Sequence, residues 1–167
     1  FLTTQVVSHL RQVNRRRARF GGILHQKRDG DGRAASAAEY LAGQTFPDEV
    51  FANDGKTGRE HMVIAKERID YWFDLRFMYG FSEAYSNTYY VEDLAGMSNL
   101  EEFAHDETIR KQMTIAMDLL WYDVATHSVN GAFSPTGNRM YAAGKMRGTS
   151  MCNALARFMQ QSDVGNG

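Results

Sequence analysis

The sequence contains one cysteine, two prolines and no long apolar run. Cys152 alone cannot form a disulfide within the chain, and no segment approaches the roughly 20 consecutive apolar residues that a membrane span needs. These absences exclude an internal disulfide framework and predict that the protein is not a membrane protein. The chain opens without a methionine, so we expect that an end was trimmed. The single cysteine and the absence of a charged-then-apolar leader at the start favour a reducing cytoplasm.

Length and composition predict one soluble globular domain with an uneven distribution of charge. The 167 residues are 43% hydrophobic and 23% charged, and the net charge is −1. Residues 1–33 carry eight Lys and Arg against two Asp, which gives +6 there and leaves −7 for residues 34–167. We therefore predict two parts: a basic, glycine-containing N-terminal segment over 1–33, formed by a short helix and a loop, and a helical-hairpin domain over 34–167.

Several short motifs resemble ligand-binding signatures but do not complete them. The triplet "GKT" at 55–57 lacks both the glycine that a phosphate loop needs at Val50 and a preceding strand. The run "DGDG" at 29–32 is not followed by the remaining ligands of a calcium loop, so it predicts a turn. The histidines have no partner at metal-helix spacing. The sequence thus predicts no metal and no cofactor.

The arginine cluster "RQVNRRRARF" at 11–20 could contact phosphates of a nucleic acid. It lacks interleaved aromatics and a recognisable module. A solvated basic helix or tail is therefore the favoured interpretation, and nucleic acid is not the expected partner.

Apolar residues recur at three- and four-residue intervals along most of the chain, which predicts an all-α protein. The pattern predicts a helix in "RAASAAEYLAGQ" and further helices over 58–79, 88–104 and 107–128, with Asp106 as the N-cap of the last. Asn130 and Gly131 are expected to close that helix, and "TSMCNALARFMQQS" predicts a final one. Short connections indicate antiparallel helical hairpins.

The segment "GFSEAYSNTYY", residues 80–90, combines four aromatics with a carboxylate, an amide and hydroxyl groups. One explanation is helix capping, because short polar side chains satisfy the free N–H groups at a helix start. Capping accounts for one or two of these residues. Aromatic faces beside amides and carboxylates are also what a sugar ring needs for stacking and hydrogen bonding, so a saccharide cleft is the second hypothesis.

Residues 37–141 resemble uncharacterised bacterial proteins of the (α/α) toroid type, which are related in architecture to heparinase-like polysaccharide lyases and six-hairpin glycosidases. The resemblance is carried by "YLAGQ" at 40–44, "GFSEAYSNTYY" at 80–90, "DLLWYDVA" at 118–125 and "GNRMY" at 137–141. It implies a partial toroid-like array of hairpins and a carbohydrate-active protein that cleaves or binds an oligo- or polysaccharide.

Two mechanisms fit the residues of these motifs. In a lyase, Asn87 would neutralise a uronate carboxylate, Tyr85 or Tyr89 would move the proton, and Arg139 would bind the acidic sugar. In a hydrolase, Glu83 would pair with a second carboxylate as acid and base. The candidates for that carboxylate are Glu92 and Asp93, and the expected substrate-binding residues are Tyr90, Glu92, Asp93 and Tyr141.

A non-catalytic helical module, or an inactive fragment of such an enzyme, is the alternative. In such a module the aromatic side chains would pack between helices, and Asp118 and Asp123 would cap helices or pair with arginines. Ala84 stands where the relatives often have tryptophan, and "DGDG" replaces their Ser-Glu-Asn-His element. A closed ring also needs about ten to twelve helices of ~11 to 12 residues. We therefore expect a homo-oligomer or the missing remainder of a larger toroid to cover the apolar faces.

Overall fold

The protein is all-α in the part of the chain that the structure describes. This computed structural model describes residues 29–133, 152–153 and 156–157. Its elements in chain order are α1 (Asp29–Thr45), α2 (Gly58–Tyr79), α3 (Tyr89–Phe103), α4 (Glu107–Thr126), β1 (Ser128–Val129) and β2 (Ala132–Phe133). Residues 152–153 and 156–157 are also helical. The predicted helices over 58–79, 88–104 and 107–128 are thus confirmed to within two residues at each end.

The start of α1 differs from the prediction. The run "DGDG" was expected to form a turn, but it is helical from Asp29 onwards. The alanine-rich residues that follow have a high helix propensity, which offsets the cost of the two glycines. The boundary predicted between residues 33 and 34 falls inside this helix, while residues 1–28 lie outside the described residues.

The contacts divide the chain into two compact units, Phe1–Met78 and Tyr79–Gly167. In the first unit, the end of α1 approaches the start of α2 at two glycines. A Cβ on Gly58 would collide with the carbonyl oxygen of Phe46, and one on Gly43 would collide with that of Gly58 and lie 2.9 Å from Met62 Cγ. The absence of side chains at both positions therefore allows this close approach.

In the second unit, α3 and α4 pack against each other across a short connection, residues 104–106. The side chain of Asp106 caps α4 by accepting a hydrogen bond of 2.8 Å from the N–H of Thr108, as predicted. The buried face of α4 follows the three- and four-residue spacing of apolar residues that predicted the helix, except that Met117 of the same pattern is half-buried. It consists of Ile109, Met113, Ala116, Leu120 and Val124, each at most 1% exposed.

A short hairpin follows α4 where the sequence predicted the end of that helix. Helix α4 ends at Thr126, and Asn130 and Gly131 form the turn between β1 and β2 instead of closing the helix. Both residues have positive φ, 50° and 72°. Asn-Gly is the pair that two-residue hairpin turns favour, so the local turn chemistry outweighs the continuing helical pattern.

Among the described residues, no helix is long and apolar enough to cross a membrane.

Replacing Gly58 with Ala should lower the free energy of unfolding by about 1–3 kcal/mol, because the added methyl group collides with backbone rather than with a flexible side chain. Gly96→Ala is the matched control. Gly96 lies within α3 with nothing near its Cβ position, so the same change there should stabilise the protein by about 0.5–1 kcal/mol. Urea unfolding of both variants measures the two effects, and equal shifts of the same sign would contradict the close approach.

Candidate functional site

The segment 80–88 connects α2 to α3 and contains two residues with left-handed backbone. Gly80 has φ 72° and directly follows α2. A glycine with left-handed backbone is a common way for a helix to end. Tyr85 has φ 55°, a region that costs a non-glycine residue about 1–2 kcal/mol. The backbone of Tyr85 is therefore strained, and neighbouring contacts must hold it in place.

Thr88 is the N-cap of α3 but its side chain makes no capping hydrogen bond, and Ser86, two residues earlier, satisfies N–H groups there as the capping explanation proposed. Its hydroxyl oxygen accepts hydrogen bonds from the N–H groups of Thr88 (3.4 Å) and Tyr89 (3.2 Å) at the start of α3. Its carbonyl oxygen accepts a long, weak contact of 3.9 Å from the thiol of Cys152. Both residues are completely buried, and burial raises the pKa of the Cys152 thiol to about 11, so the thiol is neutral near pH 7.

Tyr90, which was predicted to bind substrate, lies in the core. It is 1% exposed, and its ring packs against Phe81 (centroids 5.3 Å apart) and Phe133 (6.0 Å). Its hydroxyl group accepts a hydrogen bond of 2.9 Å from the N–H of Tyr85 and donates one of 3.1 Å to Asp123 Oδ2. Burial raises the pKa of Tyr90. The phenol is therefore a neutral bridge that ties the strained segment to α4.

Tyr85 and His127 form an aromatic pair at the end of α4. Their ring centroids lie 4.2 Å apart with an interplanar angle of 38°, and both residues are half-buried. His127 Nδ1 lies 2.9 Å from the carbonyl oxygen of Asp123, which can only accept, so this nitrogen carries the proton. In the neutral ring, Nε2 then holds the lone pair and can accept a proton.

The other predicted site residues differ in exposure. Glu83 and Tyr89 are half-buried, Glu92 is exposed, and Asn87 and Asp93 are 3% and 5% exposed. The Asn87 side-chain oxygen accepts a hydrogen bond of 3.3 Å from the Thr88 hydroxyl. Arg139 and Tyr141 lie outside the described residues. Among these predicted site residues, Tyr85 and Tyr90 contact each other through a hydrogen bond. The three predicted carboxylates differ in burial, since Asp93 is buried, Glu83 is half-buried and Glu92 is exposed.

Tyr85, Tyr90, Asp123 and His127 form one cluster, and the sequence motifs did not predict that Asp123 and His127 belong to it. Asp123 was expected to cap a helix or to pair with arginine, but its carboxylate accepts from Tyr90. His127 was considered only as a metal ligand. The available signal was their four-residue separation, which places both on one side of a helix end. Their partners lie more than 30 residues away in the sequence, and no spacing rule relates such positions.

Nothing in the described residues gathers three or more His, Cys, Asp or Glu side chains into a position to hold a metal ion.

Comparison with known proteins gives no match: no protein-family model, no curated protein and no solved structure is similar to the chain. The resemblance to toroid proteins stays a prediction that rests on the sequence motifs.

Replacing Tyr90 with Phe should lower the free energy of unfolding by about 1–3 kcal/mol, because the Asp123 carboxylate and the Tyr85 N–H both lose a partner while the core ring is kept. Tyr122→Phe removes the same hydroxyl from a residue of α4 that is 68% exposed, and it should change stability by less than about 0.5 kcal/mol. Thermal unfolding of the two variants checks this, and a Tyr90→Phe protein as stable as Tyr122→Phe would refute the bridging role.

Proposed function

We propose that the chain is part of a carbohydrate-active protein of the (α/α) toroid type, and that Tyr85 and His127 form the surface on which it binds a polysaccharide. The observation that carries the proposal is the left-handed backbone of Tyr85, whose half-buried ring lies against His127. Strained residues of this kind concentrate at ligand-binding and active sites.

The strain is informative because glycine would make the same turn without it. Glycine adopts positive φ at no steric cost, as Gly80 does at the start of the same segment. At residue 85 the chain instead has a tyrosine, and it uses the Tyr90 hydroxyl and Asp123 to hold that backbone. An aromatic ring held at this cost supports a role for the ring itself.

The Tyr85–His127 pair offers the groups that a sugar needs. An aromatic face packs against the C–H side of a pyranose ring, and nearby polar atoms orient its hydroxyl groups. The lone pair on His127 Nε2 adds a base, which the lyase hypothesis had assigned to Tyr85 or Tyr89. In β-elimination from a uronate, such a base removes the proton next to the carboxylate. Arg139 keeps its proposed role as the ligand of the acidic sugar.

The hydrolase hypothesis has less support from the geometry. Glycosidic cleavage normally uses two carboxyl groups that flank the same bond. Of the two proposed partners of Glu83, Asp93 is buried and Glu92 is exposed. Binding without cleavage, or cleavage by a lyase, therefore fits this cluster better.

A non-catalytic helical module is the second candidate, and one observation favours it. Ser86, Asn87, Tyr90 and Asp93 are all buried, so much of the polar content of the segment serves the fold. In this alternative, the Tyr85 ring is one more packing contact. A second copy, or the remainder of a larger toroid, would still be expected to cover apolar faces, and light scattering at micromolar concentration measures that expectation.

Tyr85→Gly separates the two candidates, because it removes the ring and relieves the backbone strain at once. If the ring binds saccharide, the affinity for an oligosaccharide should fall by about 5- to 150-fold, equivalent to ~1–3 kcal/mol, while stability is kept or rises. If the ring only packs, stability should fall and there is no affinity to lose. Calorimetric titration with acidic and neutral oligosaccharides and thermal unfolding provide the two readouts.

Tyr79→Ala is the control for this experiment, because Tyr79 is 71% exposed and lies outside the pair. It should leave both affinity and stability unchanged. Lyase activity has its own signature, since elimination creates a C=C bond conjugated to the uronate carboxylate and detectable by ultraviolet absorbance. If the wild-type chain binds no member of the oligosaccharide panel, the carbohydrate proposal is wrong.

A further inference from the structure

The first compact unit contains a buried histidine that contacts a carboxylate at each ring nitrogen. His61, in the first turns of α2, is 4% exposed. Its Nδ1 lies 2.8 Å from Glu39 Oε1 of α1, and its Nε2 lies 3.1 Å from Asp54 Oδ1 of the connecting loop. The ring of Phe51 stacks on the imidazole with centroids 4.8 Å apart. The histidine thus joins two helices and the loop between them.

The chemistry of the ring decides which protonation state this arrangement suits. A neutral imidazole has one N–H group and one lone pair, whereas the imidazolium ion has two N–H groups. With an ionised carboxylate at each nitrogen, a neutral ring would direct its lone pair at one of the two anions. The geometry therefore fits the cation, and the pKa of His61 is raised, first by the hydrogen bond to Glu39.

Two other cations touch the same carboxylates. Arg68 Nη1 lies 2.6 Å from the second oxygen of Glu39, and the Lys56 ammonium group pairs with Asp54 Oδ2. That pairing is the main cause that lowers the pKa of Asp54. The side chains of Lys56 and Arg68 are 42% and 43% exposed, so water screens their charges. His61 is the cation that is enclosed between the two anions.

The cluster does not have the form of a metal site. The two carboxylates approach opposite nitrogens of one ring, so the three side chains do not converge on a common point, as the ligands of a zinc ion must.

We propose that His61 is a pH-sensitive clasp, which in its cationic form fixes the loop 46–57 to α1 and α2 and in its neutral form releases Asp54. Asp54 is the expected contact to break, because its bond is the longer of the two and it belongs to a loop, whereas Glu39 belongs to a helix. The loop then loses its tie to His61 but keeps the Lys56–Asp54 and Arg59–Asp48 pairs. It also keeps its backbone bonds, which include Phe51 N–H to Lys56 O and Gly55 N–H to Phe51 O.

The direction of the pH effect follows from the raised pKa. An unfolded histidine titrates near 6.5, and the folded value lies above it. The contribution of His61 is therefore fully present below about pH 6.5 and is lost as the pH rises through the folded value. The clasp is closed under acidic conditions and opens towards alkaline pH.

Two measurements on the full chain test the clasp. Nuclear magnetic resonance titration of the His61 ring should give a pKa above 6.5, and Asp54→Asn should lower it by removing one flanking charge. Hydrogen exchange, corrected for the intrinsic effect of pH, should show the protection of the Phe51 and Gly55 amides falling about tenfold between pH 6 and pH 9, since a hydrogen bond to a charged group is lost. Protection in α4 should not change with pH.

The variants make the test specific. In His61→Gln, the protection of the loop should no longer depend on pH. Asp54→Asn should have the same effect, although it also weakens the exposed pair with Lys56. The Asp54 side chain is 32% exposed, so the test survives if His61→Gln does not fold. Arg59→Gln is the control, because it breaks an exposed pair with Asp48 and should leave the pH dependence intact. A His61 pKa at or below 6.5, or loop protection that does not change with pH in the wild type, would overturn the proposal.

Discussion

The hydroxyl group of Tyr90 is the contact on which the second unit depends. It accepts from the backbone of Tyr85 and donates to Asp123, so one oxygen atom joins a strained connection to α4. The ring that carries it fills the core between Phe81 and Phe133. A buried phenol needs both partners, because an unsatisfied polar atom in the interior costs free energy. The position of the Tyr90 ring in the core and the backbone conformation of Tyr85 are therefore linked through this hydroxyl group.

This linkage separates two tyrosines that the sequence cannot tell apart. Tyr85 and Tyr90 lie in one segment and have the same side chain, and both were candidates for contact with a sugar. One is in the core and the other is half-buried beside His127. The difference arises from the turn at residue 85, which rotates the chain by a local conformation that tyrosine rarely adopts. Residue type alone does not predict such a turn.

The fold was more predictable than the site, for a physical reason. A helix records its buried face as a local period, so the face of α4 and its Asp106 cap could be predicted from neighbouring residues. The errors occurred where two local signals compete, as in "DGDG", where helix-forming neighbours outweigh glycine, and in Asn130 and Gly131, where turn chemistry outweighs the helical pattern. The contacts of Asp123 and His61 join distant segments, and no local period records them.

The completely buried thiol of Cys152, which contacts Ser86, can report on local opening of the second unit. Cys152 is the single cysteine of the chain, it is 0% exposed, and its raised pKa keeps it in the unreactive thiol form. An alkylating reagent can therefore reach it only when the structure around the thiol opens. The rate at which the native protein gains the mass of one reagent molecule measures how often the buried surroundings of this thiol open, without any engineered label.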